Sequence, residues 1–398
     1  MSARLIKKIL YSSFIFFVFF SPRISIAQWF YSLYLEQEYN TNPFGLPVSE
    51  DEQISRISMG LQKDWEEISA QYFGSYHAYF QNPTRRFYWH QFFIGGGDTT
   101  SWNLLAEHRF NHLEFKVYDY LSIRAGLHHN HFIKNMLWRM SGGITYNNFL
   151  ELPELNNLST TIYTSIQKSF KTRTSFIATA AFNYKYYLQQ TTVSDSVSSF
   201  LLSVEQLNQG GGSGPGQGGP GGGGGSYYVY IPVDEQRGLG QLLFTLRTAQ
   251  SLAVYTGLAV QYQSRLNFSK YERTLTGLLS GYNSESQIFD DPMGYESHLF
   301  GVEFTQLLPK RISIKAAVYY QQKNYVAQGI FIDSIAFNQS VARNDIYRAI
   351  WSTVEKRMGL WKMDLAVQFN YQWVNNSSNS YWYDYISQFV SLGIQADL

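Results

Sequence analysis

The 398-residue sequence contains no cysteine, which excludes disulfide staples, zinc–thiolate and iron–sulfur sites, thiol nucleophiles and a lipid anchor on an N-terminal cysteine. Charged residues make up only 15%, well below the quarter or so usual in soluble domains. Lys+Arg 31 against Asp+Glu 30 gives a formal net charge of +1, so the bulk positive charge that holds nucleic acid is missing. No apolar run approaches the roughly 20 residues of a membrane-spanning helix. What is abundant is aromatic: Tyr 31, Phe 29 and Trp 9. So much aromatic surface in a chain of polar average calls for large interfaces or a lipid boundary.

Residues 1–27 have the layout of a secretory signal. Arg4, Lys7 and Lys8 form the positive end, Ile9 to Phe20 the apolar core, and Ser25-Ile26-Ala27 a small-residue cleavage site. Cleavage between Ala27 and Gln28 is expected, leaving 28–398 as one domain.

Beyond the signal, apolar and polar residues alternate with period two, the pattern of strands with two unlike faces. Trp361, Met363, Leu365, Val367, Phe369, Tyr371 and Trp373 interleave with Lys362, Asp364, Ala366, Gln368, Asn370 and Gln372. Short polar turns fall near Asp64–Glu66, Gly97–Thr100, Phe132–Asn135, Phe170–Arg173, Ala249–Ser251, Pro309–Arg311 and Met358–Leu360. Longer connections lie between them, near 41–52, 81–85, 110–119, 149–156, 189–236, 266–293, 325–342 and 375–380. Alternating short and long connections predict an all-β, transmembrane antiparallel barrel of about 16 strands with short periplasmic turns and longer extracellular loops. On this topology Trp29, Trp65, Trp102, Trp138 and Trp361 lie at periplasmic strand ends and Trp89, Trp373 and Trp382 near the outer ends, as membrane-interface belts require. Trp351 alone falls toward the middle.

The final residues, Ser391-Leu392-Gly393-Ile394-Gln395-Ala396-Asp397-Leu398, follow the polar, hydrophobic, glycine, two free positions, hydrophobic, free, hydrophobic pattern of closing strands in outer-membrane barrels. On these residues the chain resembles the Gram-negative outer-membrane β-barrel superfamily. That resemblance implies that the barrel-assembly machinery is a partner and that Gly393, Ala396 and Leu398 are assembly determinants. It also implies residence in the cell outer membrane as a multi-pass barrel among outer-membrane lipid. No motif selects a narrower family.

Other chemistry is sparse. The run Gly210–Ser226 lacks the Gly-Lys-Ser/Thr ending of a phosphate cradle and reads as a tether in the longest outer loop, with an inward-folding gate or an exposed partner segment as the other reading. His77, His90 and His108, with Glu107, could approach one another across neighbouring strands, within acid–base or metal-binding reach. The outer connection Glu114–Tyr120 mixes charge with aromatics, as sugar-binding or mouth-covering loops do. No catalytic constellation, metal site or cofactor motif emerges.

A barrel of roughly 16 strands leaves an aqueous lumen, so the sequence predicts a porin-like channel or transporter for small solutes rather than an enzyme. A surface-binding or export and assembly scaffold is the alternative, followed by an outer-membrane hydrolase; whether barrels associate into homo-oligomers stays open. With apolar residues assigned to lipid, the alternation directs Arg56, Arg109, Arg124, Arg139, Lys185, Arg247, Arg265, Lys315, Lys323, Arg348 and Lys362 into the lumen. The opposing set, Glu36, Glu38, Glu107, Glu303 and Asp364, is smaller. A moderately electropositive lumen with weak anion preference is therefore expected.

Overall fold

The computed structural model describes residues 29–189, 227–230, 238–269, 274–277, 291–334, 336–360 and 363–398. The expected cleavage at Ala27–Gln28, the Gly210–Ser226 run, Trp361 and Lys362 lie outside them. The strands, in chain order, are β1 (Trp29–Asn40), β2 (Glu52–Asp64), β3 (Ile68–Tyr79), β4 (Phe87–Gly97), β5 (Thr100–Asn111), β6 (Tyr120–Ile133) and β7 (Met136–Phe149). There follow β8 (Asn157–Ser169), β9 (Thr174–Tyr187), β10 (Tyr227–Tyr230), β11 (Gly238–Ala253), β12 (Thr256–Asn267), β13 (Thr274–Gly277) and β14 (Tyr295–Leu308). The last are β15 (Ile312–Tyr325), β16 (Ile330–Phe331), β17 (Phe337–Asn338), β18 (Asn344–Leu360), β19 (Met363–Ser378) and β20 (Tyr385–Asp397).

Sixteen of these close into one barrel in the order β1-β2-β3-β4-β5-β6-β7-β8-β9-β11-β12-β14-β15-β18-β19-β20. The short pairs β10–β13 and β16–β17 stand apart from it. Every neighbouring barrel pair is antiparallel, and β20 returns to β1 with Gly393 opposite Glu36. Closure leaves no open edge, which lipid has no means of hydrogen-bonding. At about 3.4 Å per residue and a tilt near 40°, strands of this length rise roughly 30 Å, the thickness of a bilayer core.

Directly opposed residues in a ladder share a face, so the register fixes which side chains point inward. Met363, Leu365, Val367, Phe369, Tyr371 and Trp373 project outward, while Asp364, Ala366, Gln368, Asn370 and Gln372 point in. All around the outside stand exposed apolar side chains such as Leu35, Ile57, Phe92, Ile144, Ile162, Phe182, Val260, Phe300, Val318, Ile350 and Leu392. In water each would forfeit about 1.5–3 kcal/mol of burial; against hydrocarbon none does. Among the described residues no helix is long and apolar enough to cross a membrane.

Two turns sit elsewhere than the sequence suggests. The β11–β12 turn is Val254–Tyr255, not Ala249–Ser251. A register irregularity between Ser251 and Ala253 lets Gln250 and Ser251 stay in the ladder opposite Leu258 and Gly257, so their polarity marks a strand end rather than a turn. Likewise Met358–Leu360 belongs to β18, which continues to Leu360.

Candidate functional site: the barrel interior

The register places Arg56, Arg109, Arg124, Arg139, Lys185, Arg247, Arg265, Glu303, Lys315, Lys323 and Asp364 on the inner face. Arg348 is a correction. It stands opposite Tyr320 and Asn375, on the outward face shared with Ile346 and Ile350. In β18 the inward positions hold Tyr347, Ala349 and Trp351, so both faces look apolar and parity alone misassigns the cation. Its position near the loop end of the strand keeps the cost of an outward charge small.

The inner face also carries more carboxylates than the alternation revealed. Glu52, Asp64, Asp345, Glu355 and Asp397 join Glu36, Glu38, Glu107, Glu303 and Asp364, while Arg357 is the one cation added. The expectation of an excess of positive charge over the whole lumen is therefore overturned. What the ladder produces is a sorting of charge around the barrel. From β20 through β5 the inner wall holds Glu36, Glu38, Glu52, Asp64, Glu107 and Asp397 with Arg56 and Arg109. From β6 through β15 it holds Arg124, Arg139, Lys185, Arg247, Arg265, Lys315 and Lys323, with Glu303 as the one strand carboxylate.

Several of these charges are neutralised in place. Arg56 pairs with Glu36 at 2.6 Å, Arg247 with Glu303 at 2.7 Å, Arg357 with Glu355 at 2.7 Å, and Lys185 with Asp291 from the connection before β14. Tyr319 also donates to Glu303 at 2.9 Å. Arg124, Arg139, Arg265 and Lys315 make no ion pair among the described residues. Arg124 donates to Thr145 Oγ1 at 3.2 Å, and Arg265 to Gln241 Oε1 at 3.3 Å. Arg124, Lys185, Gln241 and Arg265 border a cavity of about 640 Å³, to which Asn103, His128 and Tyr163 contribute polar edges.

The long-loop end of the lumen is packed. Phe44, Ile54, Tyr79 and Phe87 form one buried cluster, Tyr187, Leu239 and Met293 a second, and Phe331, Trp382 and Tyr383 a third. The first two join strand ends to loop residues folded over the mouth, and the third lies wholly among loop residues. Several charged groups within this layer are satisfied locally, as burial demands. Glu52 accepts from the backbone N–H groups of Phe80, Gln81 and Asn82 at 2.8–3.0 Å and from Asn82 Nδ2 at 2.9 Å. Asp119 accepts from Asn111 N and Nδ2. Arg343, held by an ion pair to Asp345, lies between the rings of Tyr325 and Tyr383, with its guanidinium carbon 4.0 and 3.3 Å from their centres. Sequence reasoning missed this layer, because its members sit in segments that look solvated. The mixed segment Glu114–Tyr120 shows the same thing: Tyr118 and Asp119 are buried, and Tyr120 opens β6.

The histidine cluster does not form. His77 points inward and stacks on Phe87 at 4.2 Å, whereas His90 and His108 face outward from β4 and β5 as an opposed pair. His90 Nδ1 lies 2.7 Å from the Tyr72 hydroxyl, and the His108 ring packs on Phe110. The barrel wall separates the first histidine from the other two, and among the described residues no group of metal-ligating side chains converges. Trp89 likewise faces inward and Trp382 is buried in a loop, so neither belongs to an outer belt; Trp373 does.

At the closing seam Gly393 acquires a structural reason. A Cβ there would stand 2.7 Å from the Tyr34 hydroxyl, so the absence of a side chain lets the Tyr34 ring lie against β20. Arg56 covers that ring at 4.7 Å, and Ser391 donates to Glu36 at 2.7 Å. Ala396 and Leu398 face outward; the Leu398 N–H donates to the Tyr31 carbonyl at 2.9 Å.

No family model and no curated protein matches the sequence. Solved structures do match in shape. The outer membrane protein opdK from Pseudomonas aeruginosa superposes with a TM-score of 0.52 at 7% identity, covering 93% of this chain and 99% of that one. OccAB1 of Acinetobacter baumannii gives 0.51 at 8% identity over 95% and 98%. A structure of OpdK with vanillate gives 0.51 at 7% identity over 93% and 98%. At such identities the likeness speaks for fold alone, and it agrees with the register: the chain folds as a closed, 16-stranded antiparallel β-barrel.

Proposed function

We propose that the protein is an outer-membrane channel for small solutes with a weak preference for anions. The observation that carries this reading is the arc of inward cations without carboxylate partners, Arg124, Arg139, Arg265 and Lys315, facing a wall richer in carboxylates. Such an arrangement sets a field across the lumen, and an anion tracking the β6–β15 wall is stabilised by charges that make no ion pair among the described residues. The packed mouth narrows the route in, so compact solutes are favoured. Orientation follows the usual rule for such barrels, with short turns in the periplasm and long loops outside. In this reading residues 1–27 direct export and are removed, and Gly393, Ala396 and Leu398 serve recognition by the assembly machinery.

Bilayer recordings from the purified protein test the reading. Under a salt gradient the reversal potential is expected on the anion side, moving toward zero in concentrated salt as screening shortens. The Arg124→Gln, Arg139→Gln double variant is expected to move it the same way. Clear cation selectivity would overturn the anion preference. Absence of conductance would remove the channel and leave a surface scaffold.

A further inference from the structure

At the short-turn end the strand carboxylates are sorted radially. Carboxylates at this end of the strands point inward: Asp64, Glu355, Asp364 and Asp397. Arg139, Lys315 and Arg357 also point inward a few residues from the turns, while the remaining cations at this end point outward or occupy turn tips. Lys63, Lys168 and Lys356 project from the outer wall opposite Trp29, Phe176 and Val367, and Lys134, Lys171, Arg173, Lys310 and Arg311 are exposed in the turns. Glu66, Glu67 and Asp98 sit in the turns after β2 and β4, so the basic rim runs along the arc from β6 to β18.

A separate observation singles out the same residues. Among the described residues, those other than glycine with left-handed backbone are Lys134 (φ 54), Arg173 (φ 59), Lys310 (φ 63) and Arg311 (φ 57). Glycine and asparagine are the usual occupants of such positions, because a longer side chain brings its Cβ against the following carbonyl. All four of these strained positions, in three turns, carry a guanidinium or an ammonium instead. None makes an ion pair among the described residues, and the neighbouring aromatic belt, with Lys63 over Trp29 and Trp65 and Lys168 over Phe170, sets them at the height of lipid headgroups.

We propose that this rim is a docking surface for the anionic phosphate headgroups of phospholipids in the periplasmic leaflet. Local backbone preference is given up at these positions for a charge that makes no ion pair among the described residues, and a phosphodiester at the membrane surface supplies the complement. The proposal rests on the transmembrane reading of the barrel.

The substitutions that test it are favourable to the fold. Lys134→Asn, Arg173→Asn, Lys310→Asn and Arg311→Gly each place a residue suited to left-handed backbone, so the combined variant is expected to fold at least as well as the parent. Both are inserted into phosphatidylcholine vesicles containing brominated phosphatidylglycerol or, in parallel, brominated phosphatidylcholine, and quenching of tryptophan fluorescence reports which lipid lies against the wall; Trp138 stands on the outer face beside the Lys134 turn. The parent is expected to favour phosphatidylglycerol about fivefold, less in high salt. The combined variant should fall toward equal preference, and Lys116→Gln at the opposite end should match the parent. Equal quenching in the parent, or an undiminished preference in a folded variant, would overturn the proposal while leaving the channel reading intact. Failure of the parent to insert would overturn both. Loss of binding to purified cell-wall sacculi with unchanged lipid preference would reassign the rim to murein.

Discussion

At the long-loop end Glu52, Asp345, Arg343 and Phe44 are at most 2% exposed, whereas at the short-turn end Trp65, Phe132 and Val254 are 50–72% exposed. The difference follows from chain length in the connections. A connection such as 326–343 can turn back over the lumen and bring Gln328, Phe331 and Arg343 to the strand ends, while Lys134–Asn135 or Val254–Tyr255 only reverses direction. One end of the barrel therefore has a core, in the sense of a packed, hydrogen-bonded layer; the other has only a ladder and a rim. Stability held by specific side chains should concentrate at the first end and tolerance at the second.

The largest effect is expected from Asp345→Ala. Asp345 neutralises Arg343 and also accepts from Asn376 Nδ2 at 3.1 Å and the Tyr325 hydroxyl at 3.4 Å. Removing one partner of a buried pair leaves an uncompensated charge, a loss of about 3–5 kcal/mol. Denaturant unfolding of the refolded barrel in micelles measures it. An unchanged midpoint would mean that the mouth layer contributes nothing and the two ends are equivalent. Glu52→Gln should follow, at about 1–3 kcal/mol, because an amide turns donors toward the N–H groups of Phe80, Gln81 and Asn82. Protease access to 80–86 should rise in that variant, and a loop as protected as the parent's would show that other contacts hold it.

The seam offers a third comparison, within the wall itself. Gly393→Val should lose about 1–3 kcal/mol by overpacking against Tyr34, and Tyr34→Ala in the same chain should restore part of it. A structural role for Gly393 requires that coupling. If Gly393→Val depresses assembly in cells equally with and without Tyr34, recognition by the assembly machinery is what the glycine serves.

The contrast between the ends also explains what the sequence made legible. Period-two alternation survives wherever one face meets an apolar surroundings and the other a polar lumen, so β19 could be assigned residue by residue from Met363 to Trp373. The alternation of short and long connections carried the strand number and the closure. It failed where inward positions are themselves aromatic: Trp89, Tyr79 and Trp351 face in, and Tyr347 with Trp351 made the parity of Arg348 ambiguous. The mouth layer was illegible for a different reason. Glu52, Asp119, Asp345 and Arg343 are charged residues beside loops, and only three-dimensional folding of 80–86, 112–119 and 326–343 reveals that they are buried and paired. His77 and His90 show the limit of spacing arguments, since residues at similar distances from a turn can still lie on opposite faces.

The smallest effect is expected where the long-loop end is wet. Lys116 Nζ lies 2.7 Å from Glu151 Oε1, joining the connections after β5 and β7, with both side chains about half exposed. The hydrogen bond and charge of Glu151 hold the Lys116 ammonium above its ordinary pKa. A raised pKa contributes stability in full below the ordinary lysine value and loses it only as pH climbs through the elevated one, so the pair is constant across neutral pH and weakens in strong alkali. An exposed pair is also screened by salt and opposed by side-chain entropy. Lys116→Gln is therefore expected to leave the unfolding midpoint within experimental scatter of the parent between about pH 6 and 9, in contrast to Asp345→Ala measured in the same series. A midpoint that drops as far as it does for Asp345→Ala would show that the loops are fastened at their exposed rim, and that the buried layer beneath follows from that fastening rather than producing it.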